Sequence, residues 1–225
     1  MSRFRLDATD IARIAVFAAL VAALGLPGGF SVFGTVPITA QTLGVMLAGA
    51  VLGPWRGALS MAVLLALVAL GLPLLSGGRG GLGAFVGPSA GYLFGWIAGA
   101  AVIGAIVHAG PRPARWRTVL GILVGGIPVI YAVGIPVQAL VTRLPLEATA
   151  LQSLVFLPGD LAKVALAAGI TMTLARAYPR AFRRTAAAPA SAAGTTPGTT
   201  AGTGTDAATG GPAGHTGERT GEPVR

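Results

Sequence analysis

Cysteine is absent from the sequence, and charged residues are few. No cysteine occurs among the 225 residues, which excludes disulfides, thiolate nucleophiles and cysteine-ligated metal sites. Charged residues make up 10% of the chain, whereas a soluble domain usually carries about 25%. The mean hydropathy is +0.75. This composition argues against an ordinary water-soluble domain and predicts a protein embedded in a lipid bilayer.

Catalytic and nucleotide-binding signatures are also lacking. His108 lies in a predicted loop and His215 in the C-terminal segment, and neither accompanies a plausible serine nucleophile or a cluster of carboxylates. The phosphate-binding motif G-x-x-x-x-G-K-[ST] is absent, since the only lysine is Lys163. We therefore predict that the chain is not an enzyme and needs no cofactor.

Long apolar segments are abundant. A helix that crosses a bilayer needs about 20 mostly apolar residues. Six segments approach this length, and Pro128 is predicted to interrupt the fifth of them. The predicted spans are residues 11–26, 39–52, 57–72, 89–107, 118–135 and 154–175. The predicted fold is an all-α integral membrane protein with six transmembrane helices.

The arginines predict the orientation of these helices. Of the arginines before residue 185, eleven fall on the side of the two termini, and the loops on the other side hold only Arg79 and Arg143. Because the cytoplasmic loops of membrane proteins are enriched in basic residues, both termini are predicted to be cytoplasmic. The net charge of +9 therefore reflects membrane orientation, and no nucleic-acid partner is predicted.

The composition also divides the chain into three parts. Residues 1–10 are predicted to be a cytoplasmic N-terminal segment, and residues 11–185 the membrane domain. From residue 186 to 225, Ala, Gly, Thr and Pro fill 32 of 40 positions. Such a segment cannot bury enough apolar surface to offset its loss of conformational entropy. We predict a disordered cytoplasmic tail.

Asp160 and Lys163 are the most informative polar residues. A charge at the centre of a span costs roughly 2.5–3.5 kcal/mol, so ionisable groups there usually mark a site. Their spacing of three places both side chains on one helix face, near the outer start of the sixth predicted span. An internal ion pair that only fixes helix packing is the alternative interpretation.

Further polar and glycine-rich features fall on the same, outer side. Five glycines lie within residues 77–83, and glycine lets a backbone approach a ligand closely. Each feature also has a structural alternative. The glycine-rich segment could be a flexible loop. Thr39 could be a helix cap, and Tyr92 could be an interfacial anchor. The residues predicted to line one outward-facing pocket are Thr39, Gln41, Gly78, Arg79, Gly80, Gly81, Tyr92, Asp160 and Lys163.

Small residues recur four positions apart in the first predicted span. Ala15 and Ala19 form one such pair, and Ala18 and Ala22 form another. Small residues at this spacing let two helices pack backbone to backbone. This pattern predicts a docking face for a partner, although alanine is abundant throughout the chain.

Several segments together resemble the BioY family, the biotin-specific substrate-capture components of energy-coupling-factor (ECF) transporters. They are VPITAQTL at 36–43, LAGAVLGPWRGALS at 47–60, the glycine-rich loop running into GPSAGYLFG at 87–95, and FLPGDLAK at 156–163. The resemblance covers about residues 11–175. Arg79 departs from it, because many family members have a smaller or uncharged residue there, and the C-terminal tail is not part of the family pattern.

The resemblance implies a function and partners. It implies six helices in the cell membrane that bind biotin from outside, with Asp160 and Lys163 in the biotin site. It also implies that Ala15, Ala19, Ala18 and Ala22 meet a transmembrane coupling subunit, which works with two ATPase subunits. The alternatives are a capture subunit for another vitamin, such as thiamine or riboflavin, and a structural or assembly membrane protein without a small-molecule ligand.

Overall fold

The computed structural model describes residues 7–29, 36–110, 114–178 and Phe182. Helices dominate this part of the chain, and Leu75 and Arg79 form an isolated antiparallel β-bridge. The α-helices are α1 (Ala8–Ala23), α2 (Gln41–Leu52), α3 (Pro54–Ala69), α4 (Ala90–Val107), α5 (Arg115–Val124), α6 (Ile130–Thr142), α7 (Leu146–Ser153) and α8 (Leu157–Ala177). The prediction of an all-α fold is confirmed for these residues, whereas the predicted tail, residues 186–225, lies outside them.

Three helical stretches among the described residues are long and apolar enough to cross a membrane. They are Ala90–Val107, Arg115–Thr142 and Leu146–Ala177, with 18, 28 and 32 residues. Two shorter apolar helices, Gln41–Leu52 and Pro54–Ala69, precede them. Each of the six predicted spans contains a helix, but their number and orientation as membrane spans stay a prediction.

Pro128 does not interrupt the fifth predicted span. A π-turn at Gly125–Val129 joins α5 to α6, so the helical stretch runs on through the proline. A wider turn accommodates proline because it does not require the hydrogen bond that proline cannot donate, and because it leaves room for the ring beside the preceding turn. The prediction of an interruption at this residue was therefore wrong.

Helix α4 lies at the centre of the bundle and packs against α2, α3, α5 and α6. Gly91, Gly95 and Gly99 form a row along its face toward α6 and the π-turn. A Cβ atom at Gly91 would lie 2.6 Å from the carbonyl oxygen of Val133, and one at Gly99 would lie 2.7 Å from that of Gly125. Only glycine permits this approach, which brings the tyrosines of α4 and α6 next to each other.

Helix α1 is fastened to α3 by polar contacts at two levels. The Ser60 hydroxyl donates a 2.9 Å hydrogen bond to the carbonyl of Ile14. Nearer the start of α1, the Arg56 Nε lies 2.8 Å from Oδ1 of Asp10, and a second guanidinium nitrogen donates to Oδ2 at 3.1 Å. Asp10 is buried, so a charge in the first turn of α1 is neutralised by α3.

Candidate functional site

Asp160 and Lys163 form an ion pair in the first turns of α8. The Lys163 Nζ donates to Oδ1 of Asp160 at 2.9 Å. Asp160 is 6% exposed, which requires that its charge be paired. The helix begins at Leu157-Pro158, where proline fits the first turn, and an acidic residue there interacts favourably with the helix dipole. The contact predicted from their spacing is present.

Two residues that the sequence interpretation did not select complete this cluster. Tyr131 of α6 donates a 2.7 Å hydrogen bond to Oδ2 of Asp160. Lys163 donates a second bond, of 2.9 Å, to the hydroxyl of Thr42 on α2. The ion pair of α8 is thereby joined to two other helices. Thr42 directly follows the predicted pocket residue Gln41 in the sequence, and the only signal for Tyr131 is a polar aromatic residue within an apolar span.

The cluster lines a cavity between the helices. Its volume is about 70 Å³, several times the roughly 10–15 Å³ that one water molecule needs. Polar groups occupy part of the wall, and aliphatic side chains together with four aromatic rings form the rest. The lining residues are Val36, Pro37, Ile38, Thr39, Gln41, Thr42, Leu75, Arg79, Ser89, Tyr92, Leu93, Trp96, Gly126, Ile130, Tyr131, Phe156, Asp160 and Lys163. The structure thus brings six of the nine predicted pocket residues together.

Tyr92 contributes a ring to the cavity, while its hydroxyl is engaged elsewhere. The hydroxyl donates to Oε1 of Gln138 at 2.9 Å and lies 3.1 Å from Oγ of Ser153. The ring stands nearly perpendicular to those of Tyr131 and Phe156, with centroids 6.1 and 6.4 Å away. Such edge-to-face contacts are favourable, and they fix three of the aromatic rings in the cavity wall.

Gln41 is at the cavity wall, but its amide is fully used in holding the fold. Its Nε2 donates to the carbonyls of Val21 at 3.2 Å and Leu74 at 3.0 Å. Its Oε1 accepts from the backbone N–H of Ser76 at 3.0 Å. Gln41 therefore ties the C-terminal part of α1 to the loop after α3, and both of its N–H groups already have acceptors.

The glycine-rich loop forms a tight turn rather than a backbone surface on the cavity. Gly77 and Gly78 have φ values of 75° and 71°, a region that favours glycine, and they reverse the chain between Leu75 and Arg79. The predicted site residues Gly78, Gly80 and Gly81 are not among the lining residues. A Cβ at Gly80 would lie 2.3 Å from the carbonyl oxygen of Leu72, so this glycine permits close packing within the loop.

Arg79 and Thr39 do reach the cavity. The Nε of Arg79 donates to the carbonyl of Ser76 at 3.3 Å, and one terminal nitrogen lies 3.5 Å from Oγ of Ser89. Arg79 is otherwise exposed. The Thr39 hydroxyl accepts a 3.3 Å bond from the backbone N–H of Gln41, the first residue of α2, whereas the N-cap position of this helix is Ala40.

The four alanines of α1 face in different directions. Ala15 and Ala19 are exposed, Ala22 is half-buried, and Ala18 is 4% exposed within the core. Ala18 therefore has almost no surface to present to a partner. The exposed face around Ala15 and Ala19 also carries Val16, which is 63% exposed. This apolar face of α1 contrasts with the packed face that begins at Ile14.

Comparisons with known proteins agree with one another. A family model described as the BioY family matches residues 1–180. Over 185 residues the chain is 47% identical to the biotin transporter BioY of Rhodobacter capsulatus, which covers 76% of this chain and 95% of that relative. It is 45% identical over 169 residues to the probable biotin transporter BioY of Bacillus subtilis, covering 75% of this chain and 91% of the relative. Both relatives are named for biotin transport.

The fold is similar to that of a solved protein that is also described as acting on biotin. A crystal structure of the S-component for biotin from an ECF-type ABC transporter superposes with a TM-score of 0.71 at 31% sequence identity. The superposition covers 75% of this chain and 91% of the other. The similarity therefore extends over most of the helical part in which the cavity lies.

Proposed function

The chain belongs to the BioY family, and from this premise we propose that it captures biotin from outside the cell for uptake by an ECF-type ABC transporter. Its relatives are named as biotin transporters, and the chain matches more than nine-tenths of the length of several of them. The observation that carries the proposal is the Asp160–Lys163 ion pair in the wall of a cavity whose other lining side chains are mostly aliphatic or aromatic.

The chemistry of the cavity suits biotin. Biotin combines an apolar ring and chain with a ureido group, which has two N–H donors and one carbonyl, and with a carboxylate. Asp160 retains acceptor capacity beyond its two present bonds, and Lys163 has a third N–H donor. The indole N–H of Trp96 is buried and has no hydrogen-bond partner among the described residues. A buried donor of this kind calls for an acceptor, which a bound ligand can supply.

We assign six membrane spans, with both termini in the cytoplasm and the cavity open to the outside of the cell membrane. The eleven-to-two division of arginines supports this orientation. Because the chain contains no cysteine, single cysteines can test it without further changes. Leu82→Cys, next to the glycine-rich turn, should react with a membrane-impermeant maleimide in intact cells. Ala109→Cys, after α4, should react only in permeabilised cells, and the reverse pattern would contradict the topology.

We propose that other subunits supply the energy for biotin uptake. The chain has no phosphate-binding motif, so we propose that a transmembrane coupling subunit and two ATPase subunits assemble with it. The exposed face of α1 around Ala15 and Ala19 is the proposed contact with the coupling subunit. We propose further that residues 186–225 are a cytoplasmic tail that biotin binding does not require.

A binding experiment tests the proposed site and the ligand together. Purified wild-type protein in detergent should bind tritiated biotin and raise its melting temperature on doing so. Asp160→Asn and Lys163→Ala should each weaken binding by at least tenfold, whereas Glu147→Gln, at an exposed position, should not. Excess unlabelled thiamine or riboflavin should fail to displace biotin. Unchanged binding in both site variants would contradict the proposed site. If the wild type does not bind biotin, the proposed ligand is wrong.

A further inference from the structure

The charges of the cavity wall do not cancel. Three charged side chains line the cavity, and two of them, Asp160 and Lys163, neutralise each other at 2.9 Å. The third is Arg79, which leaves one positive charge at the wall. A cavity with one unpaired cation fits a ligand that carries a single negative charge, and the proposed ligand, biotin, has one carboxylate.

Arg79 has N–H donors that form no hydrogen bond within the described residues. A guanidinium has five N–H donors, and the two contacts of Arg79 go to the neutral oxygens of Ser76 and Ser89, at 3.3 and 3.5 Å. No carboxylate of the described residues forms an ion pair with it. Residues 30–35, which lie outside the described part of the chain, include no acidic residue in the sequence. The guanidinium is therefore free to receive an anion.

Three of the four acidic residues in the described part of the chain have partners of their own. Asp10 is bound by Arg56, and Asp160 is bound by Lys163 and Tyr131. Asp7 accepts a hydrogen bond from the first backbone N–H of α1. The fourth, Glu147, is exposed at the start of α7 and forms no ion pair with Arg79. Arg79 therefore has no carboxylate partner among the described residues, and a ligand carboxylate can take that position.

The two polar parts of the cavity differ in their access to water. Asp160 is 6% exposed, whereas Arg79 is an exposed residue at the rim. A ligand carboxylate placed beside Asp160 would meet a like charge and would have to compete for Lys163, leaving a buried charge without its partner. Beside Arg79 it keeps part of its hydration and gains charge-assisted hydrogen bonds.

From these observations we infer that Arg79 binds the carboxylate of the ligand at the rim of the cavity, while Asp160 and Lys163 bind its uncharged ureido group. The inference rests on the proposed function and assigns the two ends of biotin to two parts of the site. The turn that carries Arg79 is held in place for this role. Leu75 and Arg79 pair through their backbones, and Gln41 binds the backbone of Leu74 and Ser76.

The test varies the ligand charge and the arginine together. Binding of biotin and of uncharged biotinamide is measured by calorimetry for the wild type, Arg79→Gln and Arg79→Lys. Arg79→Gln should weaken biotin about tenfold, as expected for one charge-assisted contact at a partly exposed position, and leave biotinamide unchanged. Arg79→Lys should recover part of the loss. Arg143→Gln, in the other arginine-containing outer loop, serves as the control and should change neither ligand.

The outcomes separate this inference from the function on which it rests. If the wild type binds biotin but Arg79→Gln weakens biotin and biotinamide equally, or neither of them, the assignment of the carboxylate is wrong and the proposed function stands. If the wild type does not bind biotin, both are wrong. Added potassium chloride gives a second measurement, because it should weaken biotin more than biotinamide in the wild type and equally in Arg79→Gln.

Discussion

The Tyr131 phenol donates a 2.7 Å hydrogen bond to Oδ2 of Asp160. Lys163 occupies the other carboxylate oxygen at 2.9 Å, so both oxygens of this buried acid are fixed, one by a residue of α8 and one by a residue of α6. The carboxylate thereby has a defined orientation toward the cavity, which is what a site needs in order to bind a ligand in one pose.

Removing the Tyr131 hydroxyl should weaken biotin binding while the bundle stays folded. Tyr131→Phe keeps the ring and its contact with Tyr92 but releases one oxygen of Asp160. Hydrogen bonds to charged groups contribute roughly 1.5–3 kcal/mol, so a loss of about tenfold or more in affinity is expected. Equilibrium binding of tritiated biotin measures it. Tyr178→Phe, at an exposed tyrosine just after α8, is the control, and an equal effect in both variants would contradict the role of Tyr131.

Gln41→Glu should destabilise the protein although it hardly changes the shape of the side chain. The Nε2 that donates to two carbonyls would become a carboxylate oxygen facing them, in a residue that is 1% exposed. Leaving buried groups unpaired costs about 1–3 kcal/mol, and more when one is charged. A lower melting temperature in detergent is the expected result, together with faster dissociation of biotin as the loop loosens.

The control for Gln41→Glu is the opposite exchange at an exposed position. Glu147→Gln lies at the start of α7 and its side chain is exposed, so it should leave the melting temperature nearly unchanged. A melting temperature for Gln41→Glu equal to that of the wild type would show that the amide does not hold the loop to α1.

The sequence predicted those parts of the site that depend on local spacing. Asp160 and Lys163 are three residues apart on one helix, so their contact follows from helix geometry alone. The bond from Lys163 to Thr42 joins residues 121 positions apart, and no periodicity encodes such a distance. Gln41 was selected as a pocket residue, but its three backbone partners depend on how α1 and the loop after α3 pack, which local pattern does not specify.

The same reasoning explains where the fold departed from prediction. The apolar runs predicted helices in all six segments, because hydrophobicity and length suffice for that. Pro128 was predicted to break a helix because proline removes a backbone donor. Gly125 and Gly126 precede it, and their lack of side chains allows a π-turn to pack where Ile103 and Met46 come close. The continuation through Pro128 thus depends on tertiary packing.

The exposed and buried alanines of α1 should respond differently to a larger side chain. Ala15→Leu and Ala19→Leu add bulk to exposed positions, so the melting temperature and biotin binding should persist while co-purification with the coupling subunit is lost. Ala18→Leu places the same bulk in the core, where overpacking typically costs 1–3 kcal/mol. It should lower the melting temperature. Retained co-purification of the Ala15 and Ala19 variants would contradict the proposed docking face.

A methyl group at Gly134 should disturb the cavity by displacing the ring of Tyr92, which lines it. A Cβ there would lie 2.4 Å from the ring of Tyr92, and this ring cannot retreat freely because its hydroxyl is bonded to Gln138 and Ser153. Gly134→Ala should therefore lower both the melting temperature and the affinity for biotin, at a cost of about 1–3 kcal/mol. Gly169→Ala makes the same change in α8, where a Cβ would meet no atom within 4 Å other than neighbouring backbone of its own helix, and should be neutral or slightly stabilising through helix propensity. Equal melting temperatures and affinities for the two variants would mean that Tyr92 does not transmit packing of α6 to the site.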